Sequence, residues 1–172
     1  MSAPLHDPDW PANFGDPAAT EIGRGVGGRR YLRLERPGPW GESLFVKDFG
    51  PGGTAAAARE FEAARSLRAA GAATPRPWAV ASVAGSAWLV LEDLGPRSAL
   101  DAEQIRARPE ALAEVARAAA RLHGADAIHG DVHLGNLLRH PRTGDLMWID
   151  LRRLRFGADA TSRERDLGRL FA

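Results

Sequence analysis

The chain has 172 residues, 44% of them hydrophobic and 26% charged, so it can bury one sizeable core or two small lobes. A net charge of +1 gives no bulk attraction for nucleic acid, and the lack of cysteine excludes disulfides, thiolate nucleophiles and Cys-ligated zinc. Of the 23 basic residues 22 are Arg, so the single Lys, Lys47, marks a place where a compact point charge is needed and a planar fork will not serve.

Pro4, Pro8, Pro11 and Pro17 make residues 1–20 an irregular arm, with Trp10 and Phe14 expected to pack on the fold. The arm has neither the basic start nor the apolar middle of a signal peptide, and no apolar run approaches the roughly 20 residues that span a bilayer. The expected compartment is the cytoplasm. Gly23, Gly25 and Gly28 then form a G-x-G-x-x-G pattern leading into Tyr31-Leu32-Arg33-Leu34, which alternates like a half-buried strand. A dinucleotide fingerprint would open a helix instead. The context suits a glycine-rich hairpin covering phosphates or a flexible turn, and both readings stand at this point. After a Pro37–Gly41 turn, Ser43-Leu44-Phe45-Val46-Lys47 is the next strand.

Thr54 is a good N-cap, Ala55 to Ala70 reads as helix, and Gly71 suits its C-terminal stop. Ala56, Glu60, Ala63, Ala64 and Leu67 share one face, which aims Glu60 inward, where it requires a cationic partner such as Lys47. Glu62 faces the other side with Arg59 and Arg65. Thr74-Pro75-Arg76-Pro77 is an extended connector, and Trp78–Ala84 with Ala87–Leu91 reads as a hairpin about Gly85-Ser86. Glu92-Asp93-Leu94-Gly95-Pro96 is a polar stretch suited to a hinge. Pro109 to His123 is a helix with Leu112, Val115, Ala116, Ala119 and Leu122 as its apolar stripe.

That helix delivers the chain to Ile128-His129-Gly130-Asp131-Val132-His133-Leu134-Gly135-Asn136, which sets Asp131 and Asn136 five residues apart in a polar loop. Fourteen residues after Asn136, Asp150 ends the apolar run Leu146-Met147-Trp148-Ile149. A carboxylate, a neutral oxygen ligand and a second carboxylate at these intervals are what metal-assisted phosphoryl transfer requires. His129 and His133 flank Asp131, so H-x-D-x-H also reads as a metal site. That alternative leaves Lys47, Glu60 and Asp150 unexplained, whereas a packed, hydrogen-bonded His129 leaves them their roles. Asp166 reads as structural, an acceptor for backbone N–H groups of the loop.

Taken together, Gly23-x-Gly25-x-x-Gly28, Lys47, Glu60, the Glu92–Leu94 segment, His129-Gly130-Asp131, Asn136 and Asp150 resemble, in order, the landmarks of the protein-kinase-like fold. His129-Gly130-Asp131-x-His133-x-x-Asn136, with Gly where ordinary protein kinases have Arg, resembles the small-molecule and atypical branches. Asp150-Leu151-Arg152-Arg153-Leu154-Arg155-Phe156 with Arg163 to Leu170, and Arg59-Glu60-Phe61 with Thr74-Pro75-Arg76-Pro77, resemble the lipopolysaccharide kinase family, whose members phosphorylate Kdo or heptose sugars.

The resemblance implies an α+β fold of two lobes: an antiparallel-sheet N-lobe with one helix over 21–91, a hinge at 92–96, and a shortened, mainly helical C-lobe over 97–172. It implies ATP as phosphoryl donor, with Mg²⁺, or Mn²⁺ in its place, held by Asn136 and Asp150, and Asp131 as the base for the acceptor hydroxyl. Lys47, positioned by Glu60, would hold the α- and β-phosphates under the Gly23, Gly25 and Gly28 loop, while backbone groups of Glu92 and Leu94 take the adenine edge. Arg152, Arg153 and Arg155 are either receivers of an anionic acceptor or surface charges. The implied partner is a small-molecule or lipid-linked sugar, met at the cytoplasmic face of the inner membrane, and not a nucleic acid. An aminoglycoside-type or protein Ser/Thr kinase is the second enzyme reading. Because the chain stops at Ala172, just inside the first large helix after Asp150, a nucleotide-binding pseudokinase or inactive fragment is the non-enzyme reading.

Overall fold

Alternation in the first strands sorts side chains onto two faces of one sheet. In the computed structural model, which describes residues 6, 19–25, 28–35, 43–95, 100, 108–157 and 159–170, β1 (Ala19–Arg24), β2 (Arg30–Leu34), β3 (Leu44–Asp48), β4 (Pro77–Val83) and β5 (Ser86–Glu92) form an antiparallel sheet. Its order is β1-β2-β3-β5-β4. The packing expected of Trp10 and Phe14, the turn at 37–41, and Pro96 lie outside the described residues. The described residues fall into two units, one within 1–62 and 76–93, the other within 63–75 and 94–172.

In the first unit, Leu32, Leu34, Leu44, Val46, Trp88 and Val90 fill one face of the sheet. The opposite face carries Phe45 and Lys47, in register with Leu91 and Leu89, and packs on Ala57 and Phe61 of α1 (Thr54–Ala69). The period of two thus places Lys47 under the helix. The buried stripe of α1 is Ala57, Glu60, Phe61, Ala64 and Leu67, turned about one residue from the expected face; Ala56 and Ala63 sit at its margin. Phe61, 1% exposed, sets this rotation, because one phenyl ring hides far more apolar area than two methyl groups. Glu62 is half-buried, not fully solvated as its exposed-face reading required. The β4–β5 hairpin turns at Ala84-Gly85, both with positive φ, one residue earlier than expected.

The second unit is mainly helical. The end of α1 closes with Gly71 N–H on the Arg68 carbonyl and Ala72 N–H on the Leu67 carbonyl, the paired bonds of a Schellman stop. α2 (Pro109–Gly124) buries Ala111, Val115, Ala118, Ala119 and Leu122; Leu112 and Ala116 of the expected stripe are exposed. The stripe shifts because the Trp148 indole lies on α2 and donates Nε1–H to the Ala118 carbonyl (3.2 Å), so small residues must line the helix there. Two short antiparallel pairs follow: β6 (Ala127–Ile128) with β9 (Arg155–Phe156), and β7 (Leu137–Arg139) with β8 (Leu146–Trp148). The last helix, α3 (Ala160–Leu170), is N-capped by Asp159, which accepts the Ser162 N–H at 2.7 Å. Among the described residues no helix is long and apolar enough to cross a membrane.

Candidate active site

In the first unit, Lys47 and Glu60 are 5% and 3% exposed and form a hydrogen-bonded ion pair. The strand places the ammonium and the helix places the carboxylate. Burying either alone would be costly, since an unpaired charge in the interior keeps its full desolvation penalty. The second oxygen of Glu60, Oε2, meets no donor among the described residues.

The glycine pattern is the β1–β2 hairpin: Gly23 in β1, Gly25 with its N–H on the Arg29 carbonyl (2.8 Å), and Gly28 at φ 76°. A Cβ on Gly25 would lie 2.2 Å from the Tyr31 hydroxyl, so that glycine already has a structural reason to be small. The side chain of Tyr31, whose ring packs on Phe45 at 5.6 Å between centroids, occupies the underside of this turn. Glu92 ends β5, donates its backbone N–H to the Arg76 carbonyl (2.9 Å), and accepts the Arg76 N–H on its carboxylate (3.0 Å). Leu94 is buried in the second unit.

Sequence reasoning passed over two carboxylates of the first unit. Asp48, next to Lys47, takes Arg30, the Ser86 hydroxyl and the Gly50 N–H. Its burial would raise its pKa, but those partners together outweigh it and hold the carboxyl below its ordinary value. Asp93 joins Arg33 (2.6 Å) and Ser43 (2.6 Å), tying the start of β3 to the end of β5.

In the second unit the loop from His129 to Asn136 leaves β6 and enters β7, and Asp150 follows β8. One residue locks these pieces together. The N–H of Ile149 donates to the Asn136 carbonyl (3.0 Å), and its own carbonyl accepts from His129 Nε2 (2.8 Å). Asn136, 6% exposed, donates its amide Nδ2–H to the Asp131 carbonyl (2.8 Å). Asp131 and Asn136 from one loop and Asp150 from the end of β8 therefore share one hydrogen-bonded frame. Asp150 itself adopts φ 56°, ψ 56°, a left-handed conformation that Asp tolerates better than most residues, and starts the short helical turn Leu151–Arg153.

His129 is fully buried against Trp148, and its backbone N–H donates to Asp166 Oδ2 (2.9 Å). Asp166 is thus the backbone acceptor that its sequence position implied. A carbonyl can only accept, so Nε2 of His129 carries the proton, while Nδ1 meets no partner among the described residues. Burial pushes the imidazole pKa below its ordinary value, against the pull of the Ile149 carbonyl and of Asp166, Asp150 and Asp131. A neutral, buried His129 and an exposed His133 do not converge as ligands, and no group of three His, Asp or Glu among the described residues is placed to hold a metal.

The site has a feature that spacing alone did not reveal. Arg152 Nη2 lies 3.6 Å from Asp131 Oδ2, and its Nε lies 3.4 Å from Asp150 Oδ2. Arg153 Nη1 lies 3.9 Å from Asp131 Oδ1. One guanidinium spans both carboxylates because the left-handed turn at Asp150 folds the following residues back toward the loop.

The backbone here also requires glycine. Gly130 has φ 75°, and a Cβ on it would lie 2.8 Å from the Arg153 carbonyl oxygen. Chemically, the second unit offers a half-exposed carboxylate for accepting a proton and an amide and a carboxylate as hard oxygen ligands. The first offers a buried, oriented ammonium.

Comparison with curated proteins gives no match. Among protein-family profiles, that of the APH phosphotransferase enzyme family matches residues 18–128, from the first strand to β6. That match spans more than half of the chain and ends just before His129, so the loop and Asp150 rest on their own geometry. With the antiparallel sheet, the Lys47–Glu60 pair and the helical second unit in place, the chain belongs to the phosphotransferase enzyme family and has its protein-kinase-like fold.

Proposed function

We propose that the protein is an ATP-dependent kinase that phosphorylates a hydroxyl of a sugar, of the kind found in the lipopolysaccharide core as Kdo or heptose. The observation that carries the phosphotransfer part is the frame around Ile149, which ties Asp131, Asn136 and Asp150 into one rigid set. Asn136 and Asp150 are hard oxygen donors and suit Mg²⁺, which takes few protein ligands. The committed Nδ2 of Asn136 leaves its Oδ1 for that use. Mg-ATP, when bound, supplies the phosphoryl group and neutralises the charge that builds up on its oxygens. Lys47, held by Glu60, is the phosphate anchor. Asp131 orients the acceptor hydroxyl and takes its proton. The arginine-rich stretch after Asp150 favours an anionic sugar, and a lipid-linked form of it would bring the enzyme to the inner membrane.

The family match favours a second reading, a kinase for another small molecule. The test is phosphate transfer from radiolabelled Mg-ATP to a panel of core oligosaccharides, aminoglycosides and a generic protein substrate. Transfer to the first group is expected. Asp131→Asn should lower the rate by about 10²–10⁴, the usual contribution of a positioned general base. Transfer confined to aminoglycosides would replace the sugar assignment with the second reading, and transfer that survives Asp131→Asn would remove the base assignment.

A further inference from the structure

Beside the catalytic loop the second unit has a cavity of about 460 Å³, within the usual range for small-molecule sites. Five arginines line it, Arg152, Arg153, Arg155, Arg165 and Arg169, against one acidic residue, Asp166. The Asp166 carboxylate is committed: Oδ2 accepts the His129 N–H and faces His123 Nε2 at 3.7 Å. A second acid nearby, Asp159, interacts with Arg165 and Arg155 but is engaged in capping α3. Like charges gathered around a concave space repel one another unless an anion joins them, and guanidiniums bind oxyanions through paired N–H donors.

We propose that this cavity is the subsite for an oxyanionic group, a phosphate ester or carboxylate, carried by the acceptor, and that its occupation draws Arg152 and Arg153 away from Asp131 and Asp150. The proposal rests on the phosphotransferase reading above and deepens it. Three observations converge on it. Gly130 forms part of the wall, and its missing side chain is what allows the loop backbone to approach the Arg153 carbonyl. Arg169 fixes that wall by donating Nη1–H to the Gly130 carbonyl (3.3 Å). Arg152 and Arg153 border both the cavity and the catalytic carboxylates, so a ligand in one place competes for them with the other.

The competition is one that an anion wins. The pairs from Arg152 and Arg153 to Asp131 are 3.6 and 3.9 Å long, with the arginine side chains 41% and 61% exposed. Exposed pairs of this kind shift an equilibrium by at most about fivefold. A doubly charged phosphate taking several guanidiniums at once binds far more strongly than that. The base and the metal ligand are therefore masked by arginine without the acceptor and unmasked by it, which suppresses transfer of phosphate to water.

The experiment titrates the full chain with inorganic phosphate, glucose 6-phosphate and glucose by calorimetry, in wild type, in Arg165→Gln/Arg169→Gln and in Asp131→Asn. Saturable binding of phosphate and glucose 6-phosphate is expected in wild type, with none for glucose. The arginine double variant should weaken it at least about tenfold. Asp131→Asn should tighten it about two- to fivefold, because it removes the carboxylate that competes for Arg152 and Arg153. A surface-charge effect would not produce that tightening. Absence of saturable phosphate binding, or binding indifferent to Arg165 and Arg169, would overturn the subsite. An unchanged affinity in Asp131→Asn would overturn the unmasking, and binding of free phosphate without glucose 6-phosphate would overturn the acceptor as its source. Loss of stabilisation by Mg-ATP in the wild type, measured separately, would sink the kinase reading and leave the anion result as it stands.

Discussion

Replacing Gly130 with Ala tests whether the loop preceding Asp131 is shaped by close backbone approach. Two costs apply. A left-handed conformation costs a non-glycine residue about 1–2 kcal/mol. The new methyl would also sit 2.8 Å from the Arg153 carbonyl oxygen and 3.2 Å from its Cβ. Backbone cannot rotate out of the way as a side chain can, so this overpacking adds roughly 1–3 kcal/mol. Gly144 is the control. Its φ is 76°, nearly that of Gly130, yet no atom lies within 4 Å of where its Cβ would be. Gly144→Ala therefore incurs the conformational cost alone, offset by about 0.4–1 kcal/mol from a less mobile unfolded chain. The expected losses are about 2–4 kcal/mol for Gly130→Ala and at most about 1.5 kcal/mol for Gly144→Ala, read from urea unfolding. At roughly 2–4 °C per kcal/mol for a chain of this size, the melting temperatures should differ by several degrees. Both glycines lie in the second unit, so the comparison holds even if the two units melt separately. Equal losses would refute the close-approach argument and leave positive φ as the only reason for glycine in His129-Gly130-Asp131.

The buried pair should show strong coupling: Lys47→Met and Glu60→Leu each lose about 3–5 kcal/mol by stranding a charge, while the double variant loses much less than their sum. Additive losses in that cycle would mean that the pair is not a unit. His129 makes stability depend on pH, because its folded-state pKa is depressed while the unfolded chain titrates near 6.5. The stability it contributes is complete above pH 6.5 and is lost as pH falls toward the folded value, by up to about 1.4 kcal/mol per unit. His129→Gln should flatten that slope in pH-dependent urea melts, and an unchanged slope would assign it elsewhere. Asp48, also depressed, contributes stability above its ordinary value of 3.8 that disappears as pH falls through its lower folded value. Asp48→Asn should lack this acid limb when thermal melts are compared below pH 4.

The parts of the fold legible in the sequence were those governed by local rules. Alternation located β2 and β3, the Thr54 start and Gly71 stop located α1, and the apolar run at Trp88–Leu91 located the strand buried on both faces. Helix faces were read less well, since periodicity names a stripe within about one residue but tertiary contacts choose its axis. Phe61 chose it in α1, and the Trp148 indole chose it in α2. The β4–β5 turn was misplaced by one residue because Ala84 takes a positive φ that a turn signal assigns to Gly, Asn or Asp. In the site, the solitary Lys and the inward Glu led to a true pair, and Asp166 to a true backbone acceptor. The approach of Arg152 and Arg153 to Asp131 was not legible. It depends on the left-handed turn at Asp150, and nothing in Asp-Leu-Arg-Arg announces which way that turn sends its arginines.

Trp148 explains how so short a segment can hold Asp131, Asn136 and Asp150 in place. Its indole fills the core at 1% exposure, its Nε1–H reaches α2, and its ring lies 5.2 Å from the His129 ring. Its backbone N–H donates to the Ala73 carbonyl (2.9 Å), and its carbonyl accepts from the Thr74 hydroxyl (2.7 Å). Every polar group of Trp148 is thus bonded before the chain reaches Ile149, the backbone to the Ala73-Thr74 connector and the indole to α2. Ile149 then fastens His129 and Asn136, and Asp150 is the next residue. The placement of Asp150 is therefore inherited from core packing two residues upstream, and the Asn136 amide on the Asp131 carbonyl completes the frame. Such an arrangement lets the carboxylates of Asp131 and Asp150 stay partly exposed without letting their positions drift.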